Sequence, residues 1–164
     1  MKKVFQYLYD KKGKQIPFLA KLAYGITLNE DELIINDNLD FSYYDDDLLL
    51  PTNLTINGNL YLDKSKITHL PDKLTINGEI YLWNSEIASL PNNLTINGEL
   101  HIYNSKISDL PDDLNVNGFL YHFYSPLTQN IKNNISLLNK YKKPSITIIE
   151  GFVLRNPNRF NQYG

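Results

Sequence analysis

Between Leu50 and Gln129 the chain repeats itself every 20 residues, four times and without a gap. Aligned on Leu-Pro, the copies read LPTNLTINGNLYLDKSKITH, LPDKLTINGEIYLWNSEIAS, LPNNLTINGELHIYNSKISD and LPDDLNVNGFLYHFYSPLTQ. A degenerate copy, LIINDNLDFSYYDDDLLLP at 33–51, precedes them with one residue inserted. Self-similarity at a short fixed period is the signature of a solenoid, in which each repeat buries its apolar side only by stacking on its neighbours.

Each repeat carries Asn-Gly between alternating apolar residues, which is also the strongest local signal for a hairpin. A two-residue turn at Asn77-Gly78 would pair Ile76 with Glu79, Thr75 with Ile80 and Leu74 with Tyr81. Cross-strand partners share a face, so both faces would mix core and polar residues. Without a turn, Leu74, Ile76, Gly78, Ile80 and Leu82 share one face, and Thr75, Asn77, Glu79, Tyr81 and Trp83 the other. This unbroken period of two predicts one continuous strand. Gly78 then marks a bend or the close approach of another backbone.

Stacking the copies predicts apolar ladders. They are Leu54/Leu74/Leu94/Leu114, Ile56/Ile76/Ile96/Val116, Leu60/Ile80/Leu100/Leu120, Leu62/Leu82/Ile102 and Ile67/Ile87/Ile107. Pro51, Pro71, Pro91 and Pro111 turn the chain and have no N–H to leave unpaired. The column Asn57, Asn77, Asn97 and Asn117 suits an amide ladder across in-register strands. A solenoid also needs its ends covered. Residues 1–32 fall outside the repeat and are expected to form an N-terminal cap, with VFQYLY alternating and FLAKLAYG suited to a short helix. In 126–142, Leu127, Ile131, Ile135 and Leu138 stand at helical spacing behind Pro126. KPSITIIEGFVL reads as strand and RNPNRFNQYG as a polar tail. The expectation is a single domain over 1–164: a β-rich solenoid with an array at 33–129, an N-terminal cap, and a helix-plus-strand cap at 130–164.

From its second half-strand onward, the third repeat reads LHIYNSKISDLPDDL. This resembles the short bacterial leucine-rich repeat, L-x-L/V-x-x-N-x-L-x-x-L-P, whose period is also 20. It resembles more closely a degenerate LP-x-x-L-x-V/I-x-G-x-L-x-L/V repeat of phage and bacterial proteins. The likeness covers 33–129. Ser65, Ser85, Ser105 and Ser125 stand where the leucine-rich family has its asparagine ladder, and Asn97-Gly98 stands near the place of another leucine. The resemblance implies a protein-binding scaffold. Secreted effectors with such repeats often append a cysteine-dependent ubiquitin ligase, and this chain has no cysteine, so only the recognition part carries over. A phage- or bacterium-encoded inhibitor or effector acting on a host protein is the corresponding expectation.

Composition narrows the function further. The formal net charge of −2 points to neither nucleic acid nor an anionic membrane as a direct partner. Without cysteine there are no disulfides, thiolate metal sites or cysteine nucleophiles. The start MKKVFQYLYDKKGK lacks the apolar run of a signal peptide, and no stretch has the length and hydropathy of a membrane span. The Asn-Leu-Thr triplets at 53–55 and 93–95 are read as repeat consensus, not glycosylation acceptors, and a cytoplasmic protein is expected.

Few residues could carry chemistry. Of the three histidines, His101 points outward by parity and His122 falls on the core ladder of Leu62, Leu82 and Ile102, so they do not converge with His69. Asn36, Asn38, Asp40 and Asp47 match calcium-loop spacing, but Phe41 replaces the required glycine and Asp47 the terminal glutamate. Asp45–Asp47 reads as the surface bulge of the irregular copy. Neither a catalytic triad spacing nor a phosphate-cradling glycine motif is present. The expectation is a protein that is not an enzyme and takes no cofactor or metal.

The exposed columns say more. One runs Asp40, Tyr61, Tyr81, His101, Tyr121; its neighbour runs Ser42, Asp63, Trp83, Tyr103, Phe123; a third runs Asn38, Asn59, Glu79, Glu99, Phe119. Tyrosine and tryptophan dominate interface hot spots, so Tyr61, Tyr81, Trp83, His101, Tyr103, Tyr121 and Phe123 are the candidate protein-binding residues. Against this, cross-strand aromatic pairs stabilise a sheet by themselves, and the C-terminal helix could fold back over Phe119, Tyr121 and Phe123. Lys66, Glu86 and Lys106 alternate in sign, as surface charge pairing would. Two other functions fit the same residues. A Tyr/Trp ladder can stack on sugar rings, and Asp31, Glu32, Asp37, Asp40 and Asp45–Asp47 could mimic nucleic acid toward a nucleic-acid-binding host protein.

Overall fold

A 20-residue coil must return to its starting point one strand spacing further on, about 4.8 Å, so the alternating stretch of each repeat has to bend. The computed structural model describes residues 28–45, 48–134, 136, 137, 147 and 148. It shows the bend at Asn-Gly. In the second regular repeat, β5 (Thr75–Ile76) and β6 (Ile80–Tyr81) flank the corner Asn77-Gly78-Glu79 and belong to two different sheets. The other coils repeat this: β1 (Ile34–Ile35) and β2 (Leu39–Asp40), β3 (Thr55–Ile56) and β4 (Leu60–Tyr61), β7 (Thr95–Ile96) and β8 (Leu100–His101), β9 (Asn115–Val116) and β10 (Phe119–Tyr121).

The first sheet runs β1-β3-β5-β7-β9; β11 (Thr147–Ile148) begins the second, β11-β10-β8-β6-β4-β2. All the pairings among the described residues are parallel, with Thr75 opposite Thr95 and Ile80 opposite Leu100. The fold is therefore a parallel β-solenoid, and Asn-Gly is not a hairpin. The single continuous strand expected for 74–83 is instead two short strands. The alternation survives because the corner changes the chain's direction without changing which residues point inward: Leu74, Ile76, Ile80 and Leu82 are all fully buried. Close backbone approach accompanies the bend, since Gly78 N–H donates to the Gly58 carbonyl at 3.1 Å.

The five predicted ladders fill the space between the sheets and are buried throughout. Each such aliphatic contributes about 1.5–3 kcal/mol relative to exposure. The amide ladder forms as well. Asn57, Asn77, Asn97 and Asn117 each donate from Nδ2 to the Oδ1 of the asparagine one coil earlier, at 2.6–2.8 Å, beginning on Asn36. Thus the ladder runs up the corner. The buried serine column makes no such chain: Ser65 and Ser85 Oγ lack partners, whereas Ser125 Oγ donates to the His122 carbonyl at 2.5 Å.

Left-handed residues recur at the turns, at Tyr43, Lys64, Asn84, Asn104 and Tyr124 after the second strand and at Asn53, Lys73 and Asn93 after Leu-Pro. Asparagine tolerates this conformation better than most residues. The two sets also locate the insertion in the first coil. Tyr43 and Lys64 are 21 residues apart, whereas Asn53 and Lys73 are 20 apart, so the extra residue lies between them, where Asp45–Asp47 stand. Of these, Asp46 and Asp47 lie outside the described residues, as does all but the end of the expected N-terminal cap.

At the C-terminal end, helix α1 (Pro126–Asn133) buries Leu127 and Ile131. Leu127 N–H donates to the Ile107 carbonyl at 3.1 Å, which carries the Ile67/Ile87/Ile107 ladder into the helix. The helix expected across 126–142 is interrupted at Asn134, and Ser136 and Leu137 are helical again. The first part ends at Asn134, whose Oδ1 accepts from Ser136 N–H and Oγ where the chain turns helical again; Ile135 and Leu138 lie outside the described residues. Strand β11 adds to the second sheet, with Phe119 opposite Thr147. Among the described residues, no helix is long and apolar enough to cross a membrane.

Candidate functional site

The outward residues of β4, β6, β8 and β10 stand one coil apart in register, and their rings stack. Tyr61 lies 5.0 Å from Tyr81, Tyr81 4.4 Å from His101, and His101 4.6 Å from Tyr121, with interplanar angles of 12°, 7° and 3°. The two inner rings thus have both faces covered by neighbours, and the stack meets solvent with its edges.

The column two residues earlier holds the ring edges. Asn59 Nδ2 donates to the Tyr61 hydroxyl at 2.9 Å, the Tyr81 hydroxyl donates to Glu79, and the Tyr121 hydroxyl donates to Glu99 Oε1 at 3.5 Å. His101 Nε2 lies 3.5 Å from Glu79 Oε2 and 3.2 Å from Glu99 Oε2. It is out of solvent and, close as both carboxylates are, makes no hydrogen bond of good geometry to either. Burial between the rings lowers the proton affinity of this imidazole, and the charge of Glu79 opposes the shift. Burial and the neighbouring Glu79 carboxylate push the Tyr81 hydroxyl well above the ordinary tyrosine range, so it stays neutral.

No protein-family model, curated protein or solved structure matches this chain.

The second column lies along the rim of the same sheet, next to its turns. Trp83 N–H donates to Asp63 Oδ1 at 2.9 Å. Lys64 Nζ sits 4.5 Å from the Trp83 ring centre and 5.0 Å from that of Tyr43. Tyr103 meets Tyr124 edge-to-face at 5.2 Å. Tyr43, Tyr103 and Tyr124 are 55%, 38% and 62% exposed. The seven candidates therefore fall in two groups, four in the strands of this sheet and three in the turns that follow them. Tyr61, Tyr81, His101 and Tyr121 are packed into the stack, whereas Trp83, Tyr103 and Phe123 line an aromatic rim. The helix does not fold over Phe119, which stays 41% exposed; its apolar side is taken up by the core under Leu127 and Ile131.

Two features of the site went unread in the sequence. Tyr43 and Tyr124 join the rim from the left-handed turn column, where their signal was a shared register with Lys64, Asn84 and Asn104. Glu79, Glu99 and His101 converge, although strand parity puts them in separate columns; the signal is Glu-x-His at 99–101 with a second glutamate one period earlier.

The other polar candidates are used in local structure. Asn36 Oδ1 accepts from Asn57, Asn38 Oδ1 from Asn59 N–H, and Asp40 Oδ1 from Ser42 N–H, so oxygens of the calcium-like spacing hold the first coil together and to the second. Buried His122 shares a hydrogen bond with Thr128 at 3.0 Å. Glu86 and Lys106 form an exposed ion pair, worth little by itself.

Proposed function

We propose that this chain is a non-enzymatic scaffold that takes a protein partner on the aromatic rim of its second sheet. The observation that carries this reading is the exposed edge-to-face pair of Tyr103 and Tyr124 beside Trp83. Rigid aromatics next to a cation and amides, Lys64, Asn84 and Asn104, are the side chains from which hot spots are built. The stacked column behind them supports the rim by fixing its backbone. Likeness to leucine-rich and phage or bacterial repeats favours a protein partner, and an inhibitor or effector of a cytoplasmic host protein is the form that this function would take. A sugar ring needs an open aromatic face; here the inner rings of the stack cover one another and Lys64 lies over Trp83, which disfavours a carbohydrate.

The test is capture of partners from host lysate, identified by mass spectrometry, followed by affinity measurement. The double variant Trp83→Ala with Tyr103→Ala is expected to weaken the captured partner by at least about 2 kcal/mol, and Lys66→Ala with Lys106→Ala to bind normally. A folded aromatic variant that binds as the parent does, while one altered at Asp45–Asp47 fails, would transfer the function to the acidic bulge.

A further inference from the structure

The convergence of Glu79, Glu99 and His101 is not needed for a rim that binds protein. Two carboxylates one coil apart on the same face repel each other, and between them stands a buried ring nitrogen with no hydrogen-bond partner. We propose that these three residues bind one divalent first-row transition-metal ion, with zinc the best match, and that the ion clamps the second regular coil to the third.

The geometry fits the ion. One ligand atom from each residue can be chosen so that all three lie within 4.8 Å of one another. A tetrahedral ion with bonds of about 2.0–2.2 Å sets its donors roughly 3.3–3.6 Å apart. His101 Nε2 stands 3.5 Å from Glu79 Oε2 and 3.2 Å from Glu99 Oε2, so small rotations of the carboxylates would complete a three-ligand site. The imidazole itself has little to reorganise. It is clamped between Tyr81 and Tyr121 at 4.4 and 4.6 Å.

Outer partners are in place as well. The Tyr81 hydroxyl donates to Glu79 and the Tyr121 hydroxyl to Glu99, as the second layer around a metal does when it orients carboxylate ligands. The side chains of Glu79 and Glu99 are 34% and 29% exposed against 22% for His101, so an ion approaches through the carboxylates. A nitrogen among the donors selects against calcium and magnesium, which prefer oxygen alone. Because Glu79 belongs to one coil and Glu99 and His101 to the next, the bound ion would cross-link them. This inference does not rest on the protein-binding reading, since no rim aromatic is a ligand.

The experiment uses the full chain, made without a polyhistidine tag and stripped with chelator. Zinc is titrated by calorimetry, Co2+ is followed by its visible absorption, and the thermal midpoint is recorded with and without zinc. Expected are one ion per chain, a four-coordinate cobalt spectrum and a higher midpoint with zinc. Glu99→Gln should weaken zinc at least tenfold, since loss of even an outer partner weakens a metal by roughly 10–100-fold. His101→Phe keeps a ring in the stack and should abolish both binding and the thermal shift. His69→Ala should change neither. Should His101→Phe fail to fold by circular dichroism, Glu99→Gln decides alone. No stoichiometric zinc in the parent chain, undiminished binding in Glu99→Gln, or displacement by equimolar magnesium would overturn the proposal.

Discussion

A β-carbon on Gly98 would stand 2.6 Å from the carbonyl oxygen of Gly78, closer than two such atoms can approach. The same contact recurs one coil earlier, where a β-carbon on Gly78 would meet the Gly58 carbonyl oxygen at 2.7 Å. At Gly98 the nearest obstacle is backbone, not the movable end of a side chain. The corner stacks this tightly because Gly98 N–H donates directly to the Gly78 carbonyl at 2.9 Å. Gly98→Ala must therefore push two coils apart, and forced overpacking of this kind costs about 1–3 kcal/mol. Urea denaturation is expected to show a lower midpoint at constant slope, the unfolding free energy falling by that amount, with Thr95→Ala nearly silent, within about 0.5 kcal/mol.

Leu100 is fully buried in the ladder with Leu60, Ile80 and Leu120. Its truncation leaves a cavity that stacked neighbours above and below cannot collapse into without moving their own strands. Leu100→Ala is expected to lower stability by about 2–5 kcal/mol, measured by chemical denaturation. A loss similar to that of Thr95→Ala would mean that the coils do not stack in this register.

The amide ladder gives a graded test. Asn97 makes two ladder bonds, donating to Asn77 and accepting from Asn117, whereas Asn117 makes only its donation to Asn97. Each neutral hydrogen bond is worth about 0.5–1.5 kcal/mol. Asn97→Ala should therefore destabilise about twice as much as Asn117→Ala. Equal losses would show that the ladder is not a chain of independent bonds.

Stack and rim should separate under alanine substitution. Tyr81 loses two face-to-face neighbours and a hydrogen bond to Glu79; at about 0.5–1.5 kcal/mol per ring pair, Tyr81→Ala should cost at least about 1–3 kcal/mol of folding stability. Trp83→Ala loses the Lys64 ammonium over its ring, worth about 0.5–1 kcal/mol at an exposed site, and should fold nearly as well as the parent. A larger loss for Trp83→Ala than for Tyr81→Ala would reverse the roles assigned to the two columns.

The inward residues could be read in the sequence because inward and outward positions are set locally, by a period of two along the strand and 20 between copies. That was enough for the buried ladders from Leu54 to Leu120, for the asparagine column, for the inserted residue near Asp45 and for His122 in the core. Alternation does not say how sharply the chain turns, however. An extended Leu74–Trp83 and a bent one have the same inward set, so the split into two sheets at Asn77-Gly78-Glu79 was decided by closure of the coil. Ring packing and side-chain convergence depend on that bend and on the coil spacing, both tertiary quantities. The tertiary structure therefore decided that Tyr61, Tyr81, His101 and Tyr121 cover one another while Tyr103 and Tyr124 stay open. It also decided that Glu79 and Glu99, from successive coils, close on one nitrogen of His101.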